Sequence, residues 1–190
     1  PNFELQIQGE DVSLKVHDWL LAVRWPFFRR MLEAGMEESV NKRLELPPDF
    51  PHALLLSLIQ YIYGGTDYAP VPSLEDYKFI LNNGALYGIV DLEGKPTDGF
   101  TPFVLRTKST FLHNLTEANC LEQLTIRLDL GAPAAIQEAV RYLAINLDDI
   151  VGAGDLEYAR IASLPNDIRL AIFDQQLSYI HESKGSKKKR

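Results

Sequence analysis

A chain of 190 residues with 46% hydrophobic and 24% charged residues is long and apolar enough for one large domain or two small ones. No apolar run approaches the roughly 20 residues that span a bilayer, and the first residues do not resemble a signal peptide, so we expect no membrane segment. The net charge is −7, and the last seven residues hold five Lys or Arg and no acid, so the remainder carries −12. An acidic body argues against nucleic-acid binding by the folded part. The basic tail, residues 184–190, is either a nuclear-import patch or a solvated terminus.

The N-terminal segments alternate apolar and polar residues, as half-buried strands do. Phe3–Ile7 and Val12–Val16 show this alternation on either side of a Gly9-Glu10 turn, which predicts a hairpin. The chain begins without an initiator Met, so we expect it to be a piece or a processed form of a longer protein.

A central segment, Val16–Leu46, is predicted to hold two short helices and a strand. Pro26 suits the first turn of a helix and not its middle, so we expect one helix over Asp18–Arg24 and another over Pro26–Glu33. Gly35 is the predicted left-handed stop, followed by an exposed link to a strand at Lys42–Leu46. One apolar stripe is expected to face the core at helical spacing: Leu20, Val23, Phe27 and Met31. The adjacent Phe28 faces either a partner or the hairpin.

The next helices have clear start and stop signals. Asp49 is a candidate cap for a buried helix over Phe50–Tyr63, which Gly64-Gly65 ends. Ser73 with Asp76 predicts a capping box and a helix to about Tyr87. The segment Leu92–Phe103 has two Gly, two Pro and no periodicity, which favours an exposed, mobile loop before a helix at Val104–Leu112.

The last part of the chain is predicted to be wholly helical. Thr116 is expected to cap a helix that reaches Leu130, and Pro133 to begin the next, with a stripe of Ile136, Val140 and Leu143. Asp155 caps a short helix, and Ser163-Leu164-Pro165 begins the last one. The predicted core stripe of that last helix is Leu170, Phe173, Leu177 and Ile180. Short loops between these helices indicate a small helical bundle.

No catalytic or metal-binding pattern emerges from the sequence. Cys120 is the only cysteine, which excludes an internal disulfide, and a buried inert thiol is favoured over a nucleophile. The histidines at positions 17, 52, 113 and 181 lack metal-ligand spacing, and Asp148-Asp149 is interpreted as a solvated pair. Asn114-Leu115-Thr116 is a glycosylation sequon, but without a secretory signal the capping role of Thr116 is the better interpretation. We therefore expect no enzyme activity, no cofactor and no metal.

The first part of the chain resembles a BTB/POZ domain. The similarity rests on His17, Leu20-Leu21-Ala22, Arg24-x-Pro26-x-Phe28, Met31, Gly35-Met36-Glu37-Glu38-Ser39, Leu44-x-Leu46 and the LIQYIYG run of Leu58–Gly64. Trp25 stands where the family usually has a capping Ser, and Asp18 where a Lys is common. The resemblance implies a small sheet packed on helices and predicts these residues as important for the fold: His17, Pro26, Phe27, Met31, Tyr61, Tyr63 and Gly64.

The second part resembles the BACK domain that follows BTB in many adaptors. The matching residues are Asn114-Leu115-Thr116-x-Ala118-Asn119, the run Ala134–Asn146 and Ser163-Leu164-Pro165. Together the two resemblances imply an α/β BTB/POZ domain at residues 1–113 with an inserted loop near 92–103, an all-α helical-bundle BACK domain at 114–183, and a basic tail.

The resemblance also implies a function, that of a non-catalytic substrate adaptor of a cullin-3 RING ubiquitin ligase in the cytoplasm or nucleus. A hydrophobic-x-Glu motif inserts against the cullin-3 N-terminal domain in this family, and Met36-Glu37-Glu38 matches it. Substrate would bind domains outside this chain. A homodimer through the BTB domain is expected to be weak, because Asn2 replaces the family's acid and no dimerising helix precedes it. The alternative is a self-associating BTB scaffold or transcription regulator that does not bind a cullin.

Overall fold

The computed structural model describes residues 1–11, 13–152 and 155–187. It forms two compact units, the first ending at Phe111 and the second beginning at Leu112. The first unit contains β1 (Phe3–Ile7), β2 (Ser13–Val16), α1 (Asp18–Arg24), α2 (Pro26–Glu33), α3 (Glu37–Asn41), β3 (Arg43–Leu46), α4 (His52–Gly64), α5 (Leu74–Asn83) and α6 (Thr101–Phe111). The second contains α7 (Cys120–Leu130), α8 (Pro133–Ile145), α9 (Leu147–Gly152), α10 (Asp155–Ala162) and α11 (Asn166–Lys187). The predicted fold class, an α/β unit followed by a helical unit, is confirmed.

The sheet has the strand order β2-β1-β3. β1 and β2 are antiparallel, which confirms the predicted hairpin. β1 and β3 are parallel, with Leu5 opposite Leu44, and parallel strands need a crossover, which α1 to α3 provide. The alternating side chains of the central strand, Phe3, Leu5 and Ile7, are buried. The sheet therefore presents one apolar face to the helices.

The bounds of α1 and α2 are as predicted, but the apolar stripe is not. Val23 is 63% exposed, whereas the fully buried side chains here are Leu21, Trp25 and Phe28. Met31 is also buried. Trp25 has an extended backbone (φ −119°, ψ 101°) between the two helices, so the helical periodicity does not continue from α1 into α2. Phe28 packs on the hairpin, with its ring centroid 4.8 Å from that of Phe3.

The predicted link after Gly35 is a short helix, α3. Gly35 has the expected left-handed conformation (φ 62°). Lys42 is also left-handed (φ 54°) and ends α3, so β3 begins one residue later than predicted. The link is therefore ordered by a residue with positive φ at each end.

The structure adjusts the predicted bounds of α4 and α5. α4 begins at His52, and no side chain caps its first turn, so Asp49 is not its cap. The capping box of Ser73 and Asp76 is confirmed. α5 ends at Asn83 and not at Tyr87, because the chain turns at Gly84.

The segment predicted as an exposed loop is exposed only in its first part. Leu92 is 97% exposed, in a turn where the Asp91 N–H donates to the Lys95 carbonyl at 2.7 Å. Phe100 and Phe103 are fully buried, and α6 already begins at Thr101. The second part of this segment thus belongs to the core of the first unit.

The second unit has its own core, which includes Cys120, Leu124, Leu143 and Ile172. α7 begins at Cys120 and not at Thr116. The turn before it is closed by the Asn119 side chain, whose Oδ1 accepts from the Thr116 N–H at 2.8 Å and whose Nδ2 donates to the Asn114 carbonyl. Asn119, and not the Thr116 hydroxyl, therefore orders this helix start.

The predicted core stripe of α11 was wrong. Leu170, Phe173 and Leu177 are 55%, 49% and 56% exposed, and Ile180 is 37% exposed. α11 instead packs on α8 and the unit's core through other side chains, which include Ile168, Ala171 and Ile172.

Candidate partner-binding surface

Met36 projects from the start of α3. It occupies the N-cap position with an extended backbone (φ −61°, ψ 162°). Its carbonyl accepts hydrogen bonds from the Ser39 backbone N–H at 2.9 Å and the Ser39 hydroxyl at 2.7 Å. The side chain is 51% exposed. The backbone is thus fixed while half of a large apolar side chain remains in contact with water.

Val40 extends this apolar surface, although it was not among the residues predicted from the sequence. Its side chain is 74% exposed, and its N–H donates to the Met36 carbonyl at 3.3 Å. Residues four apart on a helix share a face, so Met36 and Val40 lie side by side. The spacing was visible in the sequence, but the segment was predicted as a link, where no shared face is expected.

Two glutamates lie in the first turn of α3, and they differ in their partners. Carboxylates are favourable there, beside the unpaired N–H groups of the helix. Glu37 Oε1 accepts from Asn41 Nδ2 at 3.3 Å. Within the described part of the chain, the Glu38 carboxylate has no hydrogen-bond partner. Glu38 is therefore the better available acceptor for a donor from another molecule.

Lys42 ties the end of α3 to α1. Its Nζ lies 3.2 Å from Asp18 Oδ2, and the Asp18 Oδ1 accepts from the Trp19 N–H at 2.6 Å. The Asn2 side chain, with Lys42 and the Trp19 N–H, lowers the pKa of Asp18 against the opposing effect of burial. The surface formed by Met36, Glu38 and Val40, here called the α3 surface, is thus attached to the sheet edge and to α1.

Several residues predicted as important for the fold join α4 to its surroundings. The His17 N–H donates to the Tyr63 hydroxyl at 2.8 Å, and His17 Nδ1 lies 2.8 Å from the same oxygen. The buried Tyr61 donates to the Gly99 carbonyl at 3.0 Å. A Cβ on Gly64 would lie 2.7 Å from the Tyr68 Cβ, so this position has no room for a side chain without movement.

The other predicted fold residues lie along α2. Met31 is buried, and Pro26 occupies the first turn of the helix. Phe27 is only partly buried and meets the Tyr87 ring edge-on at 6.1 Å. Tyr63, on α4, is 44% exposed despite its bond to His17, so it acts at the edge of the core.

α1 presents a second exposed apolar pair. Trp19 and Val23, four residues apart, are 62% and 63% exposed. Both lie on the helix that follows the hairpin, away from the α3 surface in sequence. A matched pair of this size on one helix face is a candidate contact surface.

The residues considered for chemistry are placed as follows. The Cys120 thiol is fully buried, and burial raises its pKa. Asp148 and Asp149 are exposed in the first turn of α9. Among the described residues, no group of three or more His, Cys, Asp or Glu could hold a metal ion. In the same residues, no helix is long and apolar enough to cross a membrane.

Comparison with known proteins identifies the first unit. Residues 2–95 match the BTB/POZ domain family. The chain is also similar to the kelch repeat and BTB domain-containing protein 12 of Danio rerio, with 26% identity over 147 residues. That similarity covers 77% of this chain and 21% of the relative, so the chain spans about a fifth of the relative's length. The match and the three-stranded sheet with its helices agree, and residues 2–95 are a BTB/POZ domain, a protein-interaction module.

Proposed function

We propose that this chain is a non-catalytic substrate adaptor that docks the N-terminal domain of cullin-3 through the α3 surface. The observation that carries the proposal is the exposure of Met36 two residues before Glu38, whose carboxylate has no hydrogen-bond partner in the described part of the chain. This pair stands where the BTB/POZ resemblance implies the hydrophobic-x-Glu docking motif. Val40 adds an apolar contact, and Glu37 adds negative charge. Similarity to a protein named for kelch repeats and a BTB domain supports an adaptor role.

The second unit is proposed to be a BACK-like domain, from about residue 114 to 183. Of the segments that resemble that domain, residues 134–146 lie on α8 and its C-cap, residues 114–119 form the turn before α7, and residues 163–165 precede α11. The core of the second unit is separate from that of the BTB/POZ domain. In an adaptor of this design, the substrate is held by a domain outside the present chain. The protein would act in the cytoplasm or nucleus.

The energetic contributions of the α3 surface are unequal. Full burial of Met36 in a partner pocket would contribute about 1.5–3 kcal/mol. Loss of the Glu38 carboxylate would leave partner donors unpaired, at a cost of about 1–3 kcal/mol. Because each 1.4 kcal/mol is about tenfold in affinity, removal of both side chains should weaken binding by roughly a hundredfold or more.

Calorimetry with the cullin-3 N-terminal domain tests the proposal. The wild-type chain should bind, and the Met36→Ala, Glu38→Ala double variant should bind about a hundredfold more weakly. A matched control is the Val71→Ala, Glu75→Ala double variant, which removes an exposed apolar and an exposed acidic side chain elsewhere in the same unit. The control should bind as the wild type does. No wild-type binding at tens of micromolar would refute the adaptor role, and equal binding by the α3 double variant would refute this docking site.

The second candidate function is self-association of the BTB/POZ domain without a cullin. The exposed Trp19 and Val23 on α1 favour it, because an isologous contact needs one self-complementary patch. The Trp19→Arg substitution should abolish such a dimer in sedimentation experiments and leave cullin binding unchanged. A wild-type dimer that Trp19→Arg abolishes, in a chain without cullin affinity, would favour this candidate over the adaptor.

A further inference from the structure

The outer face of α11 carries apolar side chains at a spacing of 3, 4 and 3 residues. These are Leu170, Phe173, Leu177 and Ile180. Each of them is between 37% and 56% exposed. This spacing equals the a and d positions of two heptads, which is the narrow seam of a coiled coil and not the broad stripe of a helix buried in a globular core.

The helix is already ordered before any partner binds this seam. The opposite face of α11 packs on the core of the second unit through Ile168, Ala171 and Ile172. An isolated helix pair of two heptads would have to pay for helix nucleation. Here that cost is met by packing within the unit, so a short seam is sufficient for a measurable contact.

The charges beside the seam select a partner. With Leu170 at position a, Arg169 lies at position g and Asp174 at position e of the next turn. In a parallel pair of identical helices, a g residue faces the e residue five positions later in the other helix. Arg169 would then face Asp174 of the second copy, and the same contact would form again across the twofold axis.

Both charged groups are available for this contact. Asp174 is exposed, and its carboxylate has no hydrogen-bond or ion-pair partner in the described part of the chain. Arg169 uses its Nη2 to donate to Asn166 Oδ1 at 3.2 Å, and its Nε is buried with no partner among the described residues, so the remaining donors of the two Nη groups are left for this contact. The second flanking pair, Gln176 and His181, introduces no like-charge repulsion, because the glutamine side chain is uncharged.

From the apolar spacing and the flanking charges together, we infer that α11 pairs in parallel and in register with α11 of a second copy of the chain. The contact is isologous and lies in the second unit, so it is separate from the BTB/POZ domain and does not depend on the proposed cullin site. Two heptads are fewer than the three or four that characterise a stable coiled coil. The dimer is therefore a weak one, formed at micromolar concentrations.

Sedimentation equilibrium of the 190-residue chain is the first test. The wild type should form a dimer in the micromolar range, and Leu177→Lys should raise the dissociation constant at least about a hundredfold, since it places two charges in the seam. The matched control is Leu105→Lys, because Leu105 is 51% exposed but lies on α6. A wild-type chain that is still monomeric at about 200 micromolar would overturn the inference. A dimer that Leu177→Lys leaves intact would also overturn it.

Charge exchange tests the partner and the direction of pairing. Arg169→Asp and Asp174→Arg should each weaken the homodimer by about tenfold, because each creates two like-charge contacts. An equimolar mixture of the two variants should form a heterodimer, since every facing pair is then of opposite charge. Circular dichroism of each variant checks that α11 remains folded. Failure of the mixture to associate more strongly than its components would refute the parallel pairing.

A disulfide test gives the register directly. In a parallel dimer the two copies of position 177 face each other, so Leu177→Cys should form an interchain disulfide under mild oxidation. Tyr158→Cys, at a side chain that is 63% exposed on α10, should not. The native Cys120 is fully buried and does not compete. Equal crosslinking of the two variants would mean random collision and would overturn the proposed register.

Discussion

The indole Nε1 of Trp25 donates a hydrogen bond of 2.6 Å to the backbone carbonyl of Tyr87. The Trp25 side chain is fully buried, and its ring meets that of Phe100 edge-on at 5.8 Å. A BTB/POZ domain usually has a Ser at this position that caps the following helix. Here Trp25 is the N-cap residue of α2, and its side chain forms no capping hydrogen bond. The position therefore serves long-range packing, which joins α1 and α2 to the segments around residues 87 and 100.

We therefore expect serine, the residue usual in the family at position 25, to destabilise the first unit. Trp25→Ser would remove a buried aromatic side chain at a cost of about 3–5 kcal/mol. A new cap would return only about 1 kcal/mol. We expect the free energy of unfolding of the first unit to fall by about 2–4 kcal/mol in urea denaturation. Trp19→Ser, at a side chain that is 62% exposed, is the matched control and should change little. A Trp25→Ser variant as stable as the wild type would show that the cap matters more than the packing.

Local signals in the sequence were sufficient for much of the fold. Pro26 fixed the division between α1 and α2, since a proline has no backbone N–H to donate within a helix. The capping box of Ser73 and Asp76 predicted the start of α5, and positive φ at Gly35 followed from its place after a helix. Each of these features depends on residues within one or two turns of the chain.

The burial of individual side chains was less predictable, because it depends on contacts distant in sequence. Val23 and Phe28 exchanged roles with respect to the predicted stripe, since the extended backbone of Trp25 resets the helical phase. The apolar spacing on α11 was recognised, but periodicity cannot tell a stripe that packs on a core from a seam left for a partner. In the candidate site, Met36 and Glu38 were identified through resemblance, and Val40 required knowledge that the link is helical.

The bond between His17 and Tyr63 predicts a measurable coupling between α1 and α4. Tyr63→Phe removes the hydroxyl that accepts from the His17 N–H and also meets its ring. We expect a loss of about 0.5–1.5 kcal/mol in unfolding free energy, since the bonded groups are partly exposed. In a double-mutant cycle with His17→Ala, the two losses should not add. Because His17→Ala keeps the backbone N–H, the cycle isolates the contact between the His17 ring and the Tyr63 hydroxyl, and additive losses would mean that this ring contact contributes nothing in solution.

Asp18 predicts a pH dependence with a definite sign. The Asn2 side chain, Lys42 and the Trp19 N–H make the pKa of Asp18 lower in the folded state than its usual value of 3.8. A lowered pKa stabilises the fold above the unfolded-state value, and this contribution is lost as the pH falls through the folded-state value. The stability difference between wild type and Asp18→Asn should thus be constant near neutral pH and shrink below 3.8. An NMR titration of Asn2→Ala should show a higher pKa for Asp18, and an unchanged value would contradict this account.

The buried thiol of Cys120 predicts low reactivity in the folded chain. Burial disfavours the thiolate and raises the pKa of Cys120, and the Sγ already donates to the Glu117 carbonyl at 3.3 Å. Because the thiolate is the reactive form, modification by a thiol reagent at pH 8 should follow unfolding of the second unit. The modification rate should therefore rise with urea in parallel with the loss of helical circular dichroism. Rapid modification of the native chain would show that α7 opens locally at low cost.

Gly99 has the least room for a side chain in the segment Leu92–Phe103, which was predicted to be an exposed loop. A Cβ at this position would overlap the backbone carbonyl oxygen of Arg24 and meet Pro26 Cδ at 3.5 Å. The Gly99 carbonyl also accepts the hydrogen bond from Tyr61. The backbone here is thus held between the end of α1 and the last turn of α4, and the atom that a Cβ would overlap belongs to the backbone and not to a flexible side chain.

We therefore expect Gly99→Ala to destabilise the first unit by more than about 2 kcal/mol, as overpacking against backbone does. Gly94→Ala is the control, because there is open space around Gly94. An alanine there would only be strained by the positive φ (77°), at a cost of about 1–2 kcal/mol. Limited proteolysis adds a second readout. Cleavage of the wild type should be confined to the exposed turn at 91–95, whereas Gly99→Ala should also be cut between 96 and 103. If Gly94→Ala were the more damaging substitution, or if the wild type were cut at 96–103, the segment would be a mobile loop and the packing of Gly99 on Arg24 would not persist in solution.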